Sequence, residues 1–390
     1  MKYPYLLLIL MILLVFNPVS AENTGAVQID ADTPGVSVFL DGKYIGDSPR
    51  TLGGLTPGDH QIAATLSGFP SQVKNVTISS GTESLFFTFG VTIPDRAPGM
   101  IKISDCVGTP ESAGLLGTAV NVIPLKDGSM MAYYTGRGNG VRCAGSENGT
   151  RWHEYPDGCL PDQQGADGDL MMVSNPWVIP LDNGDYRMFY MARNDASSGL
   201  MSAYSSDGLM FEPEGQVLLN KGVGALGEDI GRISVPSGVR LDDGTIRMYY
   251  GLEDGIHSAT SPDEGLNWNE EDGIRISSAT DPSVVVLSDG KTGIFYVDLS
   301  SGSKGQKVWF TVSDDGTDFS AADPITVVES GEQGVWILEP EIHVSPENRW
   351  DLYFSLMGSA STGGVLTVPV MMKTVIDPDC LITRIRTIVP

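Results

Sequence analysis

Apolar and polar positions follow one recurring pattern along most of this chain. Sixteen residues beginning at Ala119, Asn175, Val235, Asp281 and Glu339 align without a gap. In each, an apolar run such as Val178-Ile-Pro-Leu181 leads into a short polar turn, then into a second apolar run ending in paired aromatics, as in Tyr133-Tyr134 and Phe189-Tyr190. The turns are Asp127-Gly128, Asn183-Gly184, Asp243-Gly244, Asp289-Gly290 and Glu347-Asn348. Two apolar runs flanking such a dipeptide predict a β-hairpin. The copies are offset by 56, 60, 46 and 58 residues, enough for one four-stranded unit each. Five units predict an all-β chain whose residues 100–390 close into a five-bladed β-propeller.

A second motif follows the hairpin in four copies: Ser146-Glu-Asn-Gly-Thr-Arg-Trp152, Ser205-Ser-Asp-Gly-Leu-Met-Phe211, Ser261-Pro-Asp-Glu-Gly-Leu-Asn-Trp268 and Ser313-Asp-Asp-Gly-Thr-Asp-Phe319. The third resembles the sialidase Asp-box in full, and the others are one residue shorter. Asp and Gly make the tight turn and the aromatic plugs the blade, so the motif implies a fold device and not a sialidase reaction. A sialidase would gather three arginines and a tyrosine–glutamate pair. Arg137, Arg193, Arg232 and Glu253 are scattered over a five-fold repeat, which speaks against that chemistry.

Residues 22–91 have a different rhythm, short alternating strands such as Val36-Ser-Val-Phe-Leu40 and Gln61-Ile-Ala-Ala-Thr-Leu66 between Gly, Asp and Pro turns. The run from Thr33 to Gly42, then Gly46-Asp-Ser-Pro49, Leu55-Thr-Pro-Gly-Asp-His60 and Gly68-Phe69, resembles the PEGA domain over nearly the whole segment. That resemblance implies a small β-sandwich-like unit and a cell-surface setting, without chemistry of its own. Residues 92–99, with two prolines and no periodicity, read as a linker. Ahead of them, Met1 to Ala21 has one basic residue, an apolar run and a small-residue end. This predicts a signal peptide cleaved after Ala21 and a secreted or surface-held product.

Four cysteines in an exported chain favour disulfides. Spacing alone leaves three connectivities open. Ring closure suggests Cys106 with Cys380 and Cys143 with Cys159. Their spacing does not suit zinc, and His60, His153, His257 and His343 form no ligand set. The net charge of −25, from 49 acids and 24 bases, excludes a nucleic-acid partner. Much of it is turn chemistry repeated along the propeller. No cofactor is called for, although an acidic axis suits a cation whose oxygen ligands would come from separate blades. Asn75-Val-Thr77 and Asn148-Gly-Thr150 are glycosylation sequons.

In a propeller the inner strands start at one mouth and the Asp-Gly turns lie at the other face. Blade starts offer Asn121, Asn175, Asp281, Glu339 and Glu341, and the ends of the second strands offer Arg137, Arg193, Glu253 and Asp298. Carboxylates and arginines, with Trp177 as a stacking face, suit a polyhydroxylated ligand, either a carbohydrate or a cell-envelope glycan. Other surface proteins are the competing class of partner. Asp281-Pro282 leading into its hairpin, with Glu339-Pro340 one blade later, resembles the arabinanase and β-xylosidase family of five-bladed glycoside hydrolases. That resemblance implies three carboxylates acting as general base, pKa-tuning Asp and general acid. Asp281 matches the Asp-Pro position and Glu339 the acid. The preceding blade has Val235 where the remaining carboxylate belongs, and Asp229 is the nearest substitute.

Overall fold

A computed structural model of the chain describes residues 24–67, 69–90, 101–136, 140–164, 170–193, 198–217, 235–298, 307–331, 335–359 and 365–388. In the N-terminal unit, Gly25–Ala31 pairs antiparallel with Arg50–Leu55 and parallel with Thr82–Phe87. A four-stranded sheet, ordered Lys43–Asp47, Ser37–Leu40, Gly58–Thr65 and Gln72–Ile78, completes the unit. Val27, Ile29, Val38, Ile62 and Phe87 fill the space between the sheets. Asp41 and Gly42 both have positive φ, 50° and 80°, the backbone of a two-residue hairpin turn whose twist matches its strands.

The five predicted hairpins are the inner two strands of five sheets. Blade 1 runs Thr118–Pro124, Met130–Thr135, Val141–Ser146 and His153–Glu154, and blade 2 has Leu170–Pro180, Tyr186–Arg193, Ser198–Ser205 and Glu212–Val217. Blade 3 has Ser237–Arg240, Ile246–Leu252, Gly255–Ser261 and Asn269–Glu270. Blade 4 is built on Ala279–Val286, Thr292–Asp298, Lys307–Ser313 and Ile325–Ser330, and blade 5 on Val335–Val344, Trp350–Ser359 and Val365–Ile376.

The chain ahead of blade 1 closes the ring, and it does so on two blades. Ile101–Ile103 is the outer strand of blade 4, and Glu111–Leu116 is the outer strand of blade 5. Cys106 lies between them and is bonded to Cys380 in a C-terminal helix, Pro378–Ile388. A second disulfide joins Cys143 to Cys159. The helix begins where the Asp377 carboxylate accepts the Cys380 N–H at 3.0 Å, and it buries Leu381 and Ile385 one turn apart.

The Asp-boxes share one construction. The serine hydroxyl oxygen accepts the glycine N–H at 2.8–3.0 Å in all four, from Ser146, Ser205, Ser261 and Ser313. The glycines Gly149, Gly208, Gly265 and Gly316 all have positive φ. The turn is also tied to the preceding blade: the Tyr133 hydroxyl donates to the Gly208 carbonyl, and Tyr249 to Gly316, both at 2.7 Å. Across the closing seam the buried Lys373 ammonium takes that place on the Gly149 carbonyl.

The N-terminal unit is built into blade 1. The Ser67 hydroxyl accepts the Leu116 N–H and donates to the Tyr134 hydroxyl, both at 2.8 Å. Tyr134 donates to Glu154, which is paired with Arg142, and Thr65 donates to the Glu154 carbonyl. Tyr44 stacks on His153 with ring centroids 3.8 Å apart. All five polar side chains of this chain of bonds are buried. Ser67→Ala removes the acceptor for a buried N–H and the donor to Tyr134. Chemical denaturation of this variant is expected to show a loss of about 1–3 kcal/mol. An unchanged midpoint would mean that the two units fold independently of this contact.

Candidate functional site

The first position of the repeat has an unusual backbone. Ala119, Asn175, Asp281 and Glu339 all lie in the left-handed region, with φ between 51° and 54°. Each falls within a register shift of its inner strand, between Thr118 and Asn121, Ser174 and Trp177, Thr280 and Ser283, and Leu338 and Glu341. A β-bulge therefore recurs at the blade-start mouth and turns this side chain aside from the pleat. Asn and Asp tolerate that conformation, whereas Ala and Glu adopt it at some cost. Because Ala119 carries no chemistry and is bulged as well, the geometry is a property of the blades. It becomes a functional site only where the side chain is functional.

The bulges are linked around the mouth. Asp281 Oδ2 accepts the Glu339 N–H at 3.2 Å, and Glu339 Oε2 accepts the Ala119 N–H at 2.7 Å. The Thr135 hydroxyl oxygen accepts the Asn175 N–H at 2.8 Å. Ser355 donates to the same Glu339 oxygen at 2.9 Å. Burial, and then the neighbouring charge of Asp281, push the Glu339 carboxyl up to about 7 against the opposing donors Ser355, Ala119 and Thr118. One oxygen of Glu339 is thus occupied by the fold, in a carboxyl held above its ordinary range.

A second ring lies beneath the first, at the third repeat position. Glu341 Oε1 accepts from Asn121 Nδ2 at 2.7 Å, and Oε2 from the Ser283 hydroxyl at 3.0 Å; the carboxylate also takes the Val122 N–H. Asn121 Oδ1 accepts the Val178 N–H, Ser237 the Val284 N–H, and Ser283 the Ile342 N–H. At four of the five seams, therefore, a third-position side chain of one blade caps the fourth-position N–H of the next. The exception is Trp177, which has no acceptor. Its ring lies on Gly238, where an added Cβ would approach it to 2.7 Å.

This ring corrects two expectations. Glu341 is buried and ties blades 1, 4 and 5 together beneath the mouth, and its carboxyl too is pushed up to about 7, here by burial. Trp177 does not offer a stacking face at the mouth. It is 5% exposed, packed at 5.2 Å on Phe189, and lines an axial cavity of about 260 Å³ that runs toward the Asp-Gly turns between Asn121, Ser237, Glu341 and Arg240.

Four of the remaining candidates fall in blades 2, 3 and 4. Asn175 is part of the bulge ring. Arg193 is exposed opposite Met172, beside a recess of about 100 Å³ bounded by Thr135, Asp162 and Ser174. Glu253 is exposed in a turn of blade 3, and Asp298 is half-buried opposite Ala279 in blade 4. Arg137, Asp229 and Arg232 lie outside the described residues. His343 is buried and hydrogen-bonded to the backbone of Val122, with burial holding its pKa down. Sequence reasoning did not single out Ser355 or Ser283. One signal was available for the inner ring, since the third column of the repeat reads Asn121, Trp177, Ser237, Ser283 and Glu341, and four of these can accept a hydrogen bond.

A PEGA domain and a five-bladed propeller are thus joined in one chain. Residues 24–88 match the family model described as PEGA domain. In fold the propeller is similar to the α-L-arabinanase of Cellvibrio cellulosa complexed with arabinohexaose, with a TM-score of 0.50 and 11% identity, over 66% of this chain and 91% of that one. It is also similar to an endo-arabinase from Bacteroides thetaiotaomicron, with a TM-score of 0.49 and 13% identity over 68% and 95% of the two chains. A GH43 endo-arabinanase from Bacillus licheniformis gives a TM-score of 0.48 and 14% identity over 66% and 93%. At these identities the likeness is one of fold. No curated protein matches the chain by sequence.

The raised carboxyl of Glu341 makes a pH prediction. A carboxyl whose folded pKa lies above its unfolded value contributes stability that is present at low pH and lost as pH rises through the folded value. Stability of the wild type is therefore expected to fall between about pH 5 and 8, and the uncharged Glu341→Gln variant should show a shallower fall. Denaturant midpoints measured across that window check this, and equal slopes in the two proteins would contradict it.

Proposed function

We propose that this is an exported, surface-located protein whose propeller binds carbohydrate at the blade-start mouth, around Asp281, Glu339 and Asn175. The observation that carries the reading is the Asp281–Glu339 pair, at a mouth also bearing Asn175. Burial and the neighbouring Asp281 hold the Glu339 carboxyl above the usual carboxylate range, which favours a protonated group that donates to a sugar hydroxyl while Asp281 accepts. Support for export comes from the apolar leader ending at Ala21 and from two disulfides. Binding of arabinohexaose by the Cellvibrio arabinanase, which shares the fold, supports an oligosaccharide as the ligand class.

Hydrolysis is the second reading, favoured by the same pair. Glu339 would be the general acid and Asp281 the carboxylate that holds its proton on at neutral pH. Inverting hydrolysis needs a base about 6.5–9.5 Å from the acid, with water between them. Asp229 is the candidate for that base. A purely structural or adhesive role, with the PEGA domain and propeller as protein-interaction modules, is the remaining alternative.

An array of poly- and oligosaccharides, scored for both binding and release of reducing ends, separates these readings. The binding proposal expects retention of at least one glycan and a loss of affinity of about tenfold or more in Asp281→Asn, equivalent to about 1.4 kcal/mol. If turnover accompanies binding, Glu339→Gln abolishes turnover while binding survives. No glycan bound by the wild type, or equal binding by Asp281→Asn, would overturn the proposal.

A further inference from the structure

One Asp-box differs from the other three in a chemically specific way. Asp207, Asp263 and Asp315 each use Oδ1 to accept a backbone N–H two to four residues further on, at 2.7–2.8 Å. In blade 1 the same place is held by Asn148, whose Oδ1 accepts the Thr150 N–H at 3.1 Å and the Thr150 hydroxyl at 2.5 Å. The turn needs only an oxygen, so the substitution preserves it. It adds an exposed amide nitrogen that has no hydrogen-bond partner among the described residues. Gly149 and Thr150 complete an Asn-x-Thr sequon, and the Thr150 hydroxyl already rests on the Asn148 amide. Asp315-Gly-Thr317 has the same hydroxyl contact, from Thr317 to Asp315 Oδ2 at 2.7 Å, but offers no amide.

We propose that Asn148 is an N-glycosylation site on the face opposite the mouth. The inference rests on the export reading, because the modifying enzymes act on exported chains. The donor would be a polyprenyl-phosphate-linked oligosaccharide. The bond from its anomeric carbon to the phosphate oxygen breaks, and a bond to Asn148 Nδ2 forms. The amide gives up one proton, and the polyprenyl phosphate leaves with the electron pair. The glycan replaces one hydrogen on a nitrogen that the fold does not use. The Oδ1 cap, the Ser146 bond to the Gly149 N–H and the Lys373 bond to the Gly149 carbonyl are untouched. A glycan projecting from an Asp-box turn stands at the end of blade 1 away from Asp281 and Glu339, so it leaves the mouth open. The other sequon, at Asn75, is also exposed, but its Thr77 hydroxyl is committed to Asp59 at 2.7 Å.

The test is peptide mapping by tandem mass spectrometry of the protein isolated from the organism that makes it, with the mature N-terminus read from the same sample. The expected result is a glycan on the Asn148 peptide of a chain beginning at Glu22, lost in Thr150→Ala. Asn148→Asp is also expected to lose the glycan while keeping the thermal midpoint of unglycosylated wild type, because aspartate caps the same turn in the other three boxes. An unmodified or merely deamidated Asn148 on a chain beginning at Glu22 would overturn the proposal and leave export standing. An unmodified Asn148 on a chain that retains Met1 would overturn both.

Discussion

Closing five sheets around an axis brings backbone N–H groups of each inner strand against the neighbouring blade, where no sheet partner reaches them. The structure satisfies them with side chains supplied by the blade before. Glu341 caps Val122, Asn121 caps Val178, Ser237 caps Val284 and Ser283 caps Ile342. Leaving one such buried donor unpaired costs about 1–3 kcal/mol, so the seams depend on these acceptors as much as on apolar packing. At the one seam without an acceptor, Trp177 lies on Gly238, and area of contact replaces the hydrogen bond.

The same construction explains why function and scaffold use similar residues here. Asp281 and Glu339 cap the next blade's N–H at the mouth, one layer above Glu341, which does the same work in the interior. What distinguishes the upper pair is the bulge that turns first-position side chains out of the pleat. Glu339 has one oxygen held by Ala119 and Ser355. Glu341 has both of its oxygens engaged by other blades. Glu339 lies at the mouth, bonded by Ala119, Ser355 and Thr118, whereas Glu341, enclosed by three blades, acts on stability.

Much of the architecture was legible from the repeat, because each hairpin brings its own turn dipeptide and paired aromatics within sixteen residues. The closing strands were harder to read. Ile101–Ile103 and Glu111–Leu116 are short, carry no hairpin of their own, and draw their pairing from blades more than two hundred residues away. The bond from Ser67 to Tyr134 was illegible for the same reason, since nothing local marks a serine in one unit as the partner of a tyrosine in another. At the site, residue type pointed to Asp281 and Glu339, but it could not separate Glu341 from them or place Trp177. Both distinctions depend on which side of a bulge a residue falls, because the extra residue shifts the in-out alternation by one and no turn residue marks where it does so.

The central claim is that two carboxyls two residues apart, Glu339 and Glu341, have separate duties, one at a ligand mouth and one in the scaffold. Carbon-13 NMR of glutamate-labelled protein, with side-chain carboxyls assigned through the Gln variants and titrated with a bound oligosaccharide, tests it directly. The account predicts that the Glu339 resonance shifts as the sugar is added while Glu341 stays within its ligand-free value. A shift at Glu341 with none at Glu339, or equal shifts at both, would contradict it.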